Sequence, residues 1–183
     1  MNNQKKRLFI GTPLSEELSL DLISYTEIFA SDGKIVPKEN LHLTLLFLGV
    51  VEEPCIKDII IQVEQVFKNY HSIFLEAKGI TCVPPNSPRM VWLEFKKNQI
   101  FTNLVQDLAN TLSQFVHRKL QKKQVIPHVT LVRLKKTTSV VPKKANQYKG
   151  TKNMIIDSAG LYESKFLHNE VFYKKLESFS LKK

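Results

Sequence analysis

Apolar residues along this chain follow two rhythms in turn. "RLFIG" (Arg7 to Gly11) is a short apolar run that reads as a strand. After it the spacing becomes helical, with Leu18, Leu22, Tyr25 and Phe29 recurring in steps of four, three and four. Ser15, followed by Glu16 and Glu17, suits the start of that helix, because a serine oxygen can accept from an orphan amide of the first turn. "SDGK" (Ser31 to Lys34) is a turn signal, and beyond it "LHLTLLFLG" (Leu41 to Gly49) reads as a long buried strand. A second helix is predicted after Glu53 and Pro54, with Ile56, Ile59, Ile60, Val63, Val66 and Phe67 on its buried face.

The second half repeats the order. Strand "MVWLEF" (Met90 to Phe95) precedes a helix carrying Ile100, Leu104, Leu108, Leu112 and Phe115, then a basic turn, then "PHVTLVRL", Pro127 to Leu134. The spacing from Phe9 to His42 nearly matches that from Leu93 to His128, as two copies of one lobe would give. Further strands are predicted at "IFLEAKGI" (Ile73 to Ile80), "MIIDSAGLYES" (Met154 to Ser164) and "EVFYKKLESFSL" (Glu170 to Leu181). Between the second motif and Met154, "KKTTSVVPKKANQYKGTK" lacks periodicity and reads as a mobile loop. The expected fold is α+β and bilobal: one domain over residues 1–183, two interleaved pseudo-twofold-related lobes with mainly antiparallel sheets, and a central cleft.

Polar residues inside two apolar strands set that cleft apart. Alternation puts Leu41, Leu43, Leu45 and Phe47 on one face of the first strand and His42, Thr44 and Leu46 on the other. Imidazole and hydroxyl then point the same way, about 7 Å apart along the strand. In the second strand Val129 and Leu131 face one side and His128 and Thr130 the other. The same alternation carries Arg133 away from His128 and Thr130 unless a bulge swings it back.

Composition narrows the partners. The 183 residues are 43% hydrophobic, as in a globular protein, and no apolar run approaches the roughly 18 residues of a membrane span. The first residues hold too short an apolar core for a secretory signal, and the expected location is cytoplasmic. Cys55 and Cys82 are far apart and form no ligand cluster, which suits a reducing compartment and excludes a zinc module or disulfide scaffold. Lys and Arg number 27 against 17 Asp and Glu, a net charge of +10 that gathers at Lys5 to Arg7, His117 to Lys123, Arg133 to Lys136, Pro142 to Lys144 and the tail. Such a field attracts phosphate-bearing ligands, RNA among them.

Two histidines across one cleft suit in-line displacement at phosphorus, where the nucleophile loses a proton as the leaving oxygen gains one. With an ordinary pKa near 6.5, one imidazole accepts while the other donates. The threonine hydroxyls, with nearby cations, can hold the non-bridging oxygens, and no metal or cofactor is needed. The competing readings are hydrogen-bonded structural histidines, or an RNA-binding module whose histidines only contact phosphate. Trp92 and Tyr162 are candidates for stacking on a base, core packing being the alternative for Trp92. His71, His117 and His168 lack a matching threonine and are expected at surface or structural positions.

These segments, "RLFIG", "VPKENLHLTLLFLG", "SPRMVWLEF", "IPHVTLVRL" and "LYESKF", resemble the 2H phosphoesterase superfamily over essentially the whole chain. Within it they resemble the bacterial and archaeal RNA 2′,3′-cyclic phosphodiesterases, formerly called 2′-5′ RNA ligases. The resemblance implies metal-independent opening of a terminal 2′,3′-cyclic phosphate to a 2′-phosphomonoester. It implies His42 as proton donor to the departing 3′ oxygen and His128 as the acceptor that activates water. Thr44, Thr130 and Arg133 would bind phosphate oxygens. "GITCVPP" departs from the family, with Cys82 where an aromatic is common. The implied partner is RNA ending in a 2′,3′-cyclic phosphate, a tRNA half for example, or a small cyclic nucleotide, with no membrane and no obligate protein partner. The same site run in reverse would join such an end to a 5′ hydroxyl through a 2′-5′ linkage.

Overall fold

The computed structural model describes residues 4–115, 125–135, 145, 153–167 and 170–183. Its strands are β1 (Lys5–Pro13), β2 (Gly33–Ile35), β3 (His42–Glu52), β4 (Ile73–Leu75), β5 (Ala77–Val83), β6 (Met90–Phe95), β7 (His128–Leu134), β8 (Met154–Ile156), β9 (Ser158–Leu167) and β10 (Glu170–Ser180). The α-helices are α1 (Glu16–Thr26), α2 (Ile56–Phe67) and α3 (Gln99–Thr111). No described helix is long and apolar enough to cross a membrane. The predicted mobile loop, apart from Lys135 and Ala145, lies outside the described residues, as do most of the basic turn, His117 and His168.

Local sequence accounts for the helices. Ser15 caps α1, its hydroxyl accepting from the Leu18 amide at 3.3 Å. Asn98 caps α3 in the same way, its side-chain oxygen accepting from the Phe101 amide at 2.9 Å. α2 buries Ile59, Val63, Val66 and Phe67, with Ile56 and Ile60 partly covered. α3 buries Phe101, Leu104, Val105 and Leu108. The expectation for Ile100 is corrected: the helix turns it outward, and it is 56% exposed while Phe101 takes the core position.

The strands form one antiparallel path in the order β10-β9-β1-β3-β7-β6-β5, with β2 also paired to β7 and a separate small sheet of β4 and β8. Two predicted strands are each divided in the structure. Ile73 to Ile80 breaks at Glu76, and Met154 to Ser164 breaks at Asp157, so that β4 and β8 pair with each other while β5 and β9 join the main sheet. The late strands β9 and β10 return to β1, which interleaves the two halves. The two motif strands pair directly, β3 with β7, in a register that centres on Leu43 opposite Val129. Each half's helix reaches the other half's motif strand: α1 packs on β7 and α3 on β3. That crossed packing holds the two motif strands side by side.

Candidate active site

The Leu43–Val129 pair sits at the middle of both motifs. Continuing its antiparallel register one residue each way sets His42 across from Thr130 and Thr44 across from His128. The two histidines are therefore diagonal neighbours, a relation that spans roughly 7–8 Å in a regular ladder. His42, Thr44, His128 and Thr130 line one cleft of about 460 Å³, together with Arg133 and Tyr173.

Both imidazoles are held in the same way. His42 Nδ1 lies 2.7 Å from the Asn40 carbonyl, and His128 Nδ1 lies 2.9 Å from the Ile126 carbonyl. A carbonyl only accepts, so Nδ1 carries the hydrogen in each ring and Nε2 is the atom left to exchange protons. Asn40 is itself fixed, its side-chain amide donating to the Val171 carbonyl at 2.8 Å. Phe9 packs on the His42 ring at 4.8 Å and Tyr173 meets it edge-on at 5.0 Å. Gly11 lets this happen: a Cβ there would lie 3.2 Å from His42 Cδ2. On the other side Trp92 stacks on His128 with ring centroids 3.7 Å apart.

Burial holds both imidazoles below the ordinary histidine pKa of 6.5, since it disfavours the charged form. In each the carbonyl bond opposes the shift. The surroundings then differ: the Arg133 guanidinium and His128 push His42 further down, whereas the Glu94 carboxylate pulls His128 up. The neighbouring charges thus act in opposite senses, against a proton on His42 and in favour of one on His128.

Two bulges complete the cleft, and they correct the alternation argument. Between β1 and β3 the register runs Ile10–Leu46 then Gly11–Thr44, so Leu45 is an extra residue. Leu46 is consequently buried, and Phe47 is not a core residue but a cleft residue, 62% exposed. Between β6 and β7 the register runs Val91–Val132 then Trp92–Thr130, so Leu131 is the extra residue. It brings Arg133 to the face of His128 and Thr130. The bulges fall at the same offset in both motifs, three residues after each histidine. Gly33 lies so close to the Arg133 backbone that a Cβ would sit 2.4 Å from its carbonyl oxygen.

Other predicted candidates fall elsewhere. Tyr162 stacks on Phe9 at 5.2 Å, behind His42, and burial pushes its hydroxyl pKa up. Trp92 is engaged with His128, and its buried Nε1–H has no hydrogen-bond partner among the described residues. His71 bridges to Lys182 away from the cleft, and Cys82 is buried. Sequence reasoning missed Phe47 and Tyr173; the first was legible only had the bulge been foreseen, and the second carries no motif. Among the described residues no three His, Cys, Asp or Glu side chains are grouped to hold a metal ion.

Known proteins bear on this geometry. The sequence profile of the 2′-5′ RNA ligase superfamily matches residues 24–165. An RNA 2′,3′-cyclic phosphodiesterase of Thermotoga maritima is 30% identical over 133 residues, covering 70% of this chain and 70% of the relative. One of Methanocaldococcus jannaschii is 29% identical over 131 residues, covering 70% and 72%. Among solved structures, TT0787 of Thermus thermophilus superposes with a TM-score of 0.82 at 24% identity, over 96% of this chain and 97% of that one. E. coli LigT complexed with 3′-AMP gives 0.82 at 22% identity, over 98% and 100%. At those identities the structural likeness speaks for the bilobal α+β fold.

Proposed function

This chain belongs to the 2′-5′ RNA ligase superfamily, and from that premise we propose that it hydrolyses RNA 2′,3′-cyclic phosphate ends to 2′-phosphomonoesters with its own two histidines. The observation that carries the reading is the matched pair of imidazoles, each with Nδ1 tied to the carbonyl two residues before it, lining one cleft with two threonine hydroxyls.

In the proposed reaction neutral His128 Nε2 takes a proton from water as its oxygen attacks phosphorus. The bond from phosphorus to the ribose 3′ oxygen breaks, and protonated His42 Nε2 delivers its proton to that oxygen. One proton enters the pair and one leaves it. Thr44, Thr130 and Arg133 donate to the non-bridging oxygens, where charge grows. The local charges add a condition: Arg133 disfavours a proton on His42 until the anionic phosphate offsets it, so substrate binding itself arms the acid. Phe47 offers the terminal base a ring beside the phosphate. The same reading takes an RNA end as partner and a cytoplasmic location, in keeping with two free cysteines.

The test is an oligonucleotide bearing a 2′,3′-cyclic phosphate, incubated with excess chelator. Opening to the 2′-phosphate is the expected result, and a folded protein inert toward several such ends overturns the proposal. An analogue with sulfur as the 3′ leaving atom needs no acid. It restores turnover to His42→Ala and leaves His128→Ala inactive, or the two roles are reversed. Ligation through the same site requires a 5′ hydroxyl to outcompete water, and is expected only when a second end is held nearby.

A further inference from the structure

A second concavity adjoins the cleft, and the chemistry above does not use it. It measures about 320 Å³, a volume within the range of small-ligand sites. One wall is the extended stretch from Lys34 to Pro37; the other is the tip of the β9–β10 hairpin, Phe166 and Glu170 to Tyr173. Val36, Asn40, Arg133, Phe166, Val171 and Tyr173 line both concavities, whereas Phe47, His128 and Thr130 line only the cleft and Phe172, Glu39 and Glu170 only the groove. Because β3 and β7 are antiparallel, Phe47 and Arg133, each five residues beyond its histidine, lie toward opposite ends of the cleft. The groove is thus reached past Arg133, on the far side of the reacting phosphate from Phe47.

We propose that this groove is a second nucleotide subsite, taking the base of the nucleotide that precedes the cyclic phosphate-bearing one, so that the enzyme prefers oligonucleotide ends to cyclic mononucleotides. The inference rests on the phosphodiesterase reading of the adjoining cleft. Three features select this occupant. The hairpin wall presents Phe166, Phe172 and Tyr173, with Phe172 46% exposed, which suits the face of an unpaired base. Glu39 and Glu170 also line the groove and offset Lys34 and Arg133, so it holds no excess positive charge to draw a phosphate inside, while the carboxylate oxygens can accept from a base amino group. Arg133, at the junction, carries five donors and can reach both the reacting phosphate and the phosphate linking the two nucleotides.

The experiment compares a nucleoside 2′,3′-cyclic phosphate with a dinucleotide ending in the same nucleotide. Wild-type kcat/KM is expected to be at least about tenfold higher for the dinucleotide, within what one stacked base contributes. Phe172→Ala brings the ratio toward one, and Phe172→Trp keeps it. A wild-type ratio near one, or an unchanged ratio in Phe172→Ala, overturns the subsite while leaving the phosphodiesterase reading intact. Failure to turn over either substrate overturns that reading instead. The subsite is then decided by calorimetry with the unreactive 2′-phosphorylated mononucleotide and dinucleotide: tighter binding of the dinucleotide, lost in Phe172→Ala, supports it, and equal binding overturns it.

Discussion

At the scale of single residues, the site depends on which nitrogen of each imidazole is left to react. Tying Nδ1 to the Asn40 and Ile126 carbonyls fixes the ring orientation and leaves Nε2 basic. Both side chains are held by packing on one side and face the cleft on the other, so their truncation removes chemistry more than core. His42→Ala and His128→Ala are each expected to lower kcat by about 10²–10⁴ while melting temperature changes little. Equal losses of activity and stability would mark the histidines as structural. Because burial lowers both pKa values, the optimum of kcat/KM, which reports the free enzyme, should lie on the acid side of 6.5. Trp92→Ala uncovers one face of His128, and the pH limb belonging to His128 should move toward higher pH; an unmoved limb means the indole is mere packing.

Among elements, the informative ones are the two bulged strands. An extra residue at Leu45 and another at Leu131 reverse the facing of the residues that follow directly, which exposes Phe47 and delivers Arg133. Alternation read from the residues of β3 and β7 alone placed both wrongly, because a bulge is a property of two paired strands and is invisible in either one. Helices were more legible: Ser15 and the steps of α1 lie in adjacent residues, and capping is a local hydrogen bond. β2 braces the second bulge from outside, with Gly33 against the Arg133 carbonyl. Gly33→Ala is expected to cost about 1–3 kcal/mol, lowering the melting temperature by roughly 2–4 °C per kcal/mol, and to raise KM by displacing Arg133. A variant with unchanged melting temperature and KM would remove that contact from the account.

For the whole molecule, burial of two neutral imidazoles ties stability to pH. Their folded pKa values lie below the unfolded value of 6.5, so in that interval the unfolded chain binds more protons and stability rises with pH. Acidification below 6.5 should therefore destabilise the protein, and the His42→Ala, His128→Ala double variant should lose part of that slope in denaturant titrations at pH 5 and pH 7.5. The net charge of +10 predicts a second global behaviour: kcat/KM for an oligonucleotide end should fall steeply with salt, more so than for a cyclic mononucleotide. The sequence by itself determined the paired His-x-Thr motifs, the helices that flank them and the repeated order of elements, because these rest on periodicity and short-range hydrogen bonds. Tertiary structure alone decided that Leu43 meets Val129, that two bulges turn Phe47 and Arg133 into the cleft, that Tyr173 returns from the far end of the chain to His42, and that Trp92 serves His128 rather than the core. Each of these depends on pairing between residues distant in the chain, where the hydrogen-bond ladder and not the local pattern sets which way a side chain points.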